Sequence, residues 1–323
     1  MILQPTHENI QRAAEVLRNG GVVAVPTETV YGLAARIDQP AAIEEIFRRK
    51  GRPRDNPLIV HVAAVEQAYD LTNEHGKQLI NAFAARFWPG PLTLVLPASR
   101  LVTSYVTAGL DTVAVRMPRH PVFLELINAV GCPVAAPSAN ISGKPSPTIA
   151  EHVETDFGNN VLVLDGGPCE IGLESTVVHV SNGIVHVLRP GVVTAEELAT
   201  LALDVVEQAD SPIVVDVARS PGMKYRHYAP QAHVVLCKTA DELRAACQHD
   251  IAHTVALVPA YMLEQFSGLQ VRALQQQTFY EELRRADALQ TRLIVVLCDQ
   301  SITAQNALYN RIQRASGIEG KGQ

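Results

Sequence analysis

With 323 residues, 47% of them apolar and 19% charged, the chain can bury two domain-sized cores and is too hydrophobic for a disordered polymer. A formal net charge of −6 excludes a broadly basic nucleic-acid-binding surface; any phosphate must meet a local cationic pocket, which suits a small phosphorylated ligand better than duplex DNA. The polar N-terminus lacks a secretory pattern, no apolar run reaches membrane-spanning length, and Cys132, Cys169, Cys237, Cys247 and Cys298 lack zinc or redox spacing, so a cytoplasmic protein with reduced thiols is expected.

Residues 6–19 are predicted to form an amphipathic helix: Thr6 can cap it, Ile10, Ala13, Ala14 and Leu17 share a face, and Gly20-Gly21 ends it. A buried strand, 22–25, follows. The next loop, Pro26-Thr27-Glu28-Thr29-Val30-Tyr31-Gly32-Leu33, is rich in hydroxyls and leads into a possible helix start. Its amides and hydroxyls could hold a small ligand, or Thr29 could simply cap that helix. A second helix, marked by Pro40, Ile43, Ile46 and Phe47, is predicted to end at Gly51, with a strand at 58–62. Between them, Lys50-Gly51-Arg52-Pro53-Arg54-Asp55-Asn56-Pro57 sets three cations within five positions. Brought to one point they suit a polyphosphate; dispersed, they are a solvated loop with Lys50 at the negative end of a helix. His61, amid apolar strand residues, reads on spacing alone as a core histidine.

Further strands are predicted at 92–96, 112–115, 134–136, 161–164, 176–180 and 184–188; several are near neighbours joined by turns, so a mixed sheet with helices is expected. Val134 to Ser146 runs from a strand into Pro137-Ser138-Ala139-Asn140-Ile141-Ser142-Gly143-Lys144-Pro145-Ser146, where small and hydroxylated residues would let a ligand approach the backbone, or would make a surface turn. Arg116, Gly172-Leu173-Glu174-Ser175-Thr176 and Leu188-Arg189-Pro190-Gly191 lie at further strand ends; either arginine could bind a ligand or cover apolar surface with its stem. From 210 to 231 the Pro- and Gly-punctuated stretch reads as a linker. Beyond it, strands at 234–236, 255–258, 271–274 and 293–297 alternate with helices, most clearly 280–289, as in a small parallel α/β domain. The phosphate loop, dinucleotide fingerprint, zinc helix and nucleophile elbow of common enzyme families are absent.

Lys50-Gly51-Arg52 together with Ser138-Ala139-Asn140 resembles the defining signature of the YrdC family. Ser220-Pro221-Gly222-Met223-Lys224-Tyr225-Arg226-His227-Tyr228-Ala229-Pro230 resembles the linker motif of that family's long, two-domain threonylcarbamoyl-AMP synthases. The resemblance implies a YrdC-like mixed, twisted sheet with helices over 1–209, a linker or lid over 210–231, and a smaller Rossmann-like parallel α/β domain over 232–323. It implies synthesis of threonylcarbamoyl-adenylate and pyrophosphate from L-threonine, bicarbonate and ATP, with magnesium on the phosphates and transfer of the product to tRNA by downstream proteins. L-Threonine would be held by Thr29, His61, Arg116, the Ala136 backbone and Ser175. ATP would be held by Arg52, Asn56, Thr112, Ser138, Ser146 and Arg189, with Tyr225 or Tyr228 closing from the linker. Lys50, Arg52, Ser138 and Asn140 would form the polar catalytic cluster. Ser301-Ile302-Thr303-Ala304 stands where long relatives often carry Gly-Leu-Gly, which counts against a ligand role for the C-terminal domain. A non-catalytic RNA-binding module and a carbamoyl-transfer enzyme are the alternatives; neither stable nucleic-acid binding nor membrane association is expected.

Overall fold

The computed structural model describes residues 1–201, 204–207, 228–248 and 250–317, which fall into two units: 1–142 with 147–207, and 143–146 with 228–317. Of the predicted linker, 210–231, residues 210–227 lie outside the described residues.

The first unit runs β1 (Ile2–Leu3), α1 (His7–Arg18), β2 (Val23–Val25), β3 (Gly32–Arg36), α2 (Pro40–Lys50), β4 (Ile59–His61), α3 (Val65–Asp70), α4 (Glu74–Phe87), β5 (Leu92–Pro97), α5 (Ser104–Thr107), β6 (Thr112–Arg116), α6 (Pro121–Val130), β7 (Val134–Ala135), α7 (Ala150–Phe157), β8 (Leu162–Leu164), β9 (Thr176–Ser181), β10 (Ile184–Arg189), α8 (Ala195–Ala199) and β11 (Asp204–Glu207). Its eleven strands form one mixed sheet in the order β1-β8-β2-β3-β7-β4-β6-β5-β9-β10-β11. Local chemistry sets several boundaries. The Thr6 hydroxyl accepts from the Asn9 amide to open α1, and Gly51, at φ 59°, closes α2 in the left-handed conformation that glycine adopts without steric cost. Asn182 and Gly183, both at positive φ, make the tight turn of the β9–β10 hairpin.

Side chains alternate across a strand, so the sheet has two faces with different fates. One is covered along its length: Ala24, Leu33, Ala35, Val60, Leu94, Val113, Val115, Ala135 and Val178 pack with Ile43, Ile46 and Phe47 of α2, Ile80 and Phe83 of α4 and Val153 of α7. Each large apolar side chain buried there contributes about 1.5–3 kcal/mol. On the other face, α1 and α6 cover only the first half, where Ile10, Leu17, Phe123 and Ile127 meet Val23, Val25, Ala34, Val134 and Leu164. Across β4, β6, β5, β9 and β10 the same face carries a separate small cluster, Ile59, Ala114, Val95, Val177 and Leu188, built of strand residues alone.

The second unit contains β12 (His233–Cys237), α9 (Ala240–Cys247), β13 (Thr254–Val258), β14 (Val271–Ala273), α10 (Phe279–Ala288), β15 (Leu293–Leu297), α11 (Gln300–Thr303) and α12 (Asn306–Ser316). Its sheet, β12-β15-β13-β14, is parallel throughout, as the alternation of strands and helices predicts. Its core joins Cys237, Leu243, Cys247, Ala256, Val258, Phe266 and Val295.

Candidate active site

The half-face that carries the strand-built cluster is where the polar residues of the first unit converge. Register places His61 beside Arg116 on β4 and β6, and Ile59 beside Ala114 one pleat back, so His61 and Arg116 stand at one end of the small apolar cluster. The 26–33 and 134–140 loops are laced together at this end. Leu33 donates its amide to Pro137 O at 2.7 Å, Ala139 to Tyr31 O at 2.7 Å, and Ala136 to Ile59 O at 3.0 Å. The Ala136 amide is thereby used, and its carbonyl is what that residue has to offer a ligand.

The Thr27 hydroxyl organises the first loop. It accepts from the amides of Thr29 and Val30 at 3.0 and 3.1 Å and donates to Val30 O at 2.7 Å, fixing a tight hydroxyl turn that continues into β3. The helix expected after Thr29 does not form. Leu33 and Ala35 instead pack on the covered face and Ala34 on the face beneath α1, an alternation only a strand permits. Thr29 is thus no helix cap: its hydroxyl accepts from Arg116 Nη1 at 2.9 Å. The same guanidinium donates from Nε to Gly90 O at 3.1 Å and ion-pairs through Nη2 with Glu28 Oε1 at 2.7 Å. Burial alone would raise the Glu28 pKa, but the adjacent guanidinium outweighs it and holds the carboxylate below its ordinary value. Burial, reinforced by the Arg116 charge, pushes the His61 pKa well below its usual value; its ring lies 5.2 Å from that of Phe123, and among the described residues its Nδ1 has no partner. At neutral pH His61 is therefore a neutral imidazole facing an arginine.

The three cations of the 50–54 loop do not meet at one point. Lys50, fully buried at the end of α2, donates to Ser138 O at 2.5 Å and Asn140 O at 2.6 Å, fixing the turn that carries the second signature. Arg52 donates to Asn56 O and Pro57 O at 3.4 and 3.0 Å, whereas Arg54 is exposed and pairs with Glu44. Asn56 is buried, with no partner for its Nδ2 among the described residues. A second cluster lies across the sheet. Arg189 donates from Nε to Ser175 O and from Nη2 to Ser175 Oγ, each at 3.0 Å, and Ser175 Oγ lies 2.8 Å from Thr93 Oγ1. The following Gly191 is needed for packing, since a Cβ there would come 2.4 Å from Thr176 N. Thr112, buried at the opposite end of β6 from Arg116, shares the same face two pleats away.

Thr29, His61, Arg116, Ala136, Ser175, Thr112 and Arg189 thus belong to one half-face and its bordering loops, and Lys50, Ser138 and Asn140 to one hydrogen-bonded turn. Ser146 is fully buried in the second unit. Tyr228 also lies there, with φ 65°, its ring 5.3 Å from that of Tyr280 and 5.5 Å from the Arg311 guanidinium carbon. Tyr225 lies outside the described residues. Sequence reasoning did not single out Glu28, Thr93 or the histidines of the β9–β10 hairpin. The only available signal for Glu28 was a carboxylate inside a hydroxyl loop, which needs a cation once buried.

Comparison with known proteins accords with this architecture. The family model Sua5_yciO_yrdC, described as "Telomere recombination", matches residues 15–191, more than half the chain, and the model for the threonylcarbamoyl-AMP synthase C-terminal domain matches 193–317. The threonylcarbamoyl-AMP synthase of Pyrococcus abyssi is 49% identical over 246 residues, covering 75% of this chain and 72% of that protein. The one from Bacillus subtilis is 47% identical over 253 residues, covering 74% and 70%. The crystal structure of P. abyssi Sua5 complexed with L-threonine matches with a TM-score of 0.86 and 39% identity over 98% of this chain and 97% of that one. Escherichia coli YciO, at 23% identity and a TM-score of 0.51, shares the fold over 59% of this chain.

Proposed function

The chain belongs to the family of two-domain threonylcarbamoyl-AMP synthases, and from that premise we propose that it joins L-threonine, bicarbonate and ATP into threonylcarbamoyl-adenylate, releasing pyrophosphate. The observation that carries the reading is the Arg116 guanidinium, buried and aimed by Glu28, Thr29 and Gly90 O beside a neutral His61, at the edge of the strand-built apolar cluster. Such a group receives a carboxylate by charge and geometry, and the threonine carboxylate is its natural partner. A neutral imidazole facing the same point can accept a hydrogen bond from the threonine amine or hydroxyl without adding positive charge.

In the reaction the threonine ammonium gives up a proton to solvent, and the free amine adds to carbon dioxide, formed from bicarbonate with loss of its hydroxyl as water; release of a second proton to solvent leaves the carbamate. A carbamate oxygen then attacks the α-phosphorus of ATP; the bond to the bridging oxygen breaks and pyrophosphate departs with its electron pair. The step demands alignment and positive charge on phosphoryl oxygens more than a strong acid or base. Arg189 and Arg52 are assigned to that charge. Lys50 acts one step back: by holding the carbonyls of Ser138 and Asn140 it aims the Ser138 hydroxyl and the local amides. In this scheme magnesium would enter with the nucleotide and neutralise its phosphates. The product would pass to tRNA-modifying transfer proteins in the cytoplasm; among the described residues no helix is long and apolar enough to cross a membrane.

The test is to supply 13C-bicarbonate with L-threonine and ATP and analyse the products by mass spectrometry. The expected product contains threonine, one labelled carbon and AMP, formed one for one with pyrophosphate. Unlabelled AMP or ADP alone would contradict the proposal.

A further inference from the structure

Tyr31, the largest side chain of the 26–33 loop, has been given no role. It is fully buried, and each of its three polar atoms holds a different stretch of chain. Its amide donates to Pro147 O at 2.9 Å, and its carbonyl accepts from the Ala139 amide at 2.7 Å. Its hydroxyl donates to Gly167 O at 2.8 Å and accepts from the Gly166 amide at 3.1 Å. Burial pushes the phenol pKa up, so the hydroxyl keeps the proton it donates.

The turn that receives the phenol is itself firmly seated. Asp165 Oδ1 accepts from the Gly167 amide at 2.9 Å, and Gly167 sits at φ 77°, where glycine is at no disadvantage. At Gly166 a Cβ would come 2.5 Å from Pro26 Cγ and 2.6 Å from His120 Cε1, so the turn lies directly against the start of the loop that Tyr31 belongs to. The chain then returns to that loop, where the Ile171 amide donates to Glu28 O at 2.8 Å. Residues 166–171 thus strap the loop at two points, Glu28 and the Tyr31 hydroxyl. A tyrosine needed for volume alone would have no use for a hydroxyl that both gives and takes a hydrogen bond.

The residues on either side of Tyr31 give the pin its meaning. Two positions before it, Thr29 accepts from Arg116, the group assigned to the threonine carboxylate. One position after it, Gly32 forms an antiparallel bridge with Ser138, which is assigned to the nucleotide and whose carbonyl Lys50 holds. Resting on the function proposed above, we propose that Tyr31 is a positioning residue that locks the amino-acid loop to the Ser138 turn, so that L-threonine and ATP bind cooperatively. Either ligand fixes its own end of a four-residue run, and the pinned run carries that constraint to the other end; by linkage the effect is the same in both directions. The chemistry has a use for it. A carbamate reverts readily to amine and carbon dioxide, so the amino acid must already be held within reach of the α-phosphorus when the carbamate forms.

The experiment measures, by calorimetry on the full chain, the affinity for L-threonine with and without an ATP analogue whose α,β-bridging oxygen is replaced by methylene, and the affinity for the analogue with and without L-threonine. In the wild type each ligand is expected to tighten the other by about 5-fold or more. Tyr31→Phe keeps the ring and removes both hydrogen bonds of the phenol. It is expected to bring that ratio to within about 2-fold of unity, while the affinity for each ligand alone changes by less than about 5-fold, since Arg116 and Lys50 keep their own partners. A variant that weakens both ligands equally and leaves the ratio intact would show that Tyr31 only packs, and would overturn the proposal; so would a wild type that binds both ligands independently. Should Tyr31→Phe not fold, Asp165→Ala, which frees the 166–167 turn from its other side, must lose the coupling instead. A wild type that binds no L-threonine would refute the proposed function and this inference with it, whereas intact coupling in the variants would refute the role of Tyr31 alone.

Discussion

Glu28 and Arg116 have side chains only 3% and 4% exposed, and neither could be buried alone without a large desolvation cost. Removing the carboxylate in Glu28→Gln should destabilise the protein by about 3–5 kcal/mol, because an uncompensated guanidinium is left inside. It should also raise the KM for L-threonine more than that for ATP, since Arg116 loses its aim. Denaturant titration and steady-state kinetics check the two halves. His61 supplies a pH signature. Its folded pKa lies below the 6.5 of the free side chain, so the unfolded chain takes up the proton first and stability falls as pH drops from about 6.5 toward the depressed folded value. A His61→Gln protein should show a flatter stability profile over that window, measured by melting temperature against pH. The ion pair itself could not be read from sequence: its members are 88 positions apart, and a glutamate flanked by threonines looks like any polar loop until β6, which begins 62 residues past the end of α2, delivers its partner.

Among the secondary-structure elements, helix α1 and the β9–β10 hairpin were legible because apolar spacing and turn chemistry agree there: Ile10, Ala13, Ala14 and Leu17 recur at helical intervals, and Asn182-Gly183 suits a two-residue turn. Strand β3 was not. Gly32-Leu33-Ala34-Ala35 is short and built of small residues, and its burial on both faces hides the alternation that would mark a strand. Whether Lys50, Arg52 and Arg54 converge or disperse could not be read from the sequence for a related reason. Residues two apart at a helix end point in different directions, and Lys50, the last helical residue, turns inward toward backbone carbonyls. Lys50→Met should therefore act as a structural lesion as well as a catalytic one. Two buried carbonyls lose an ionic donor, for a cost of about 2 kcal/mol or more, and activity should fall with the KM for ATP rising as the 138–140 turn relaxes. A normal melting temperature in that variant would show the ammonium to be dispensable to the fold.

For the molecule as a whole, the sequence made the α/β class, the mixed first sheet and the parallel second sheet readable from the order of periodic segments. It did not reveal on which half of the larger sheet α1 and α6 would pack. That depends on where α1 and α6 stop: they cover β8, β2, β3 and β7, whereas β4, β6, β5, β9 and β10 carry, among the described residues, a strand-borne apolar cluster between polar ends. An amino acid at the Arg116 end and a nucleotide running toward Thr112 is the arrangement from which the proposed chemistry follows. The most direct measurement is pyrophosphate release from ATP with L-threonine, bicarbonate and magnesium each omitted in turn. Release is expected only from the complete mixture; release that persists at full rate without L-threonine or without bicarbonate would contradict threonylcarbamoyl-adenylate synthesis.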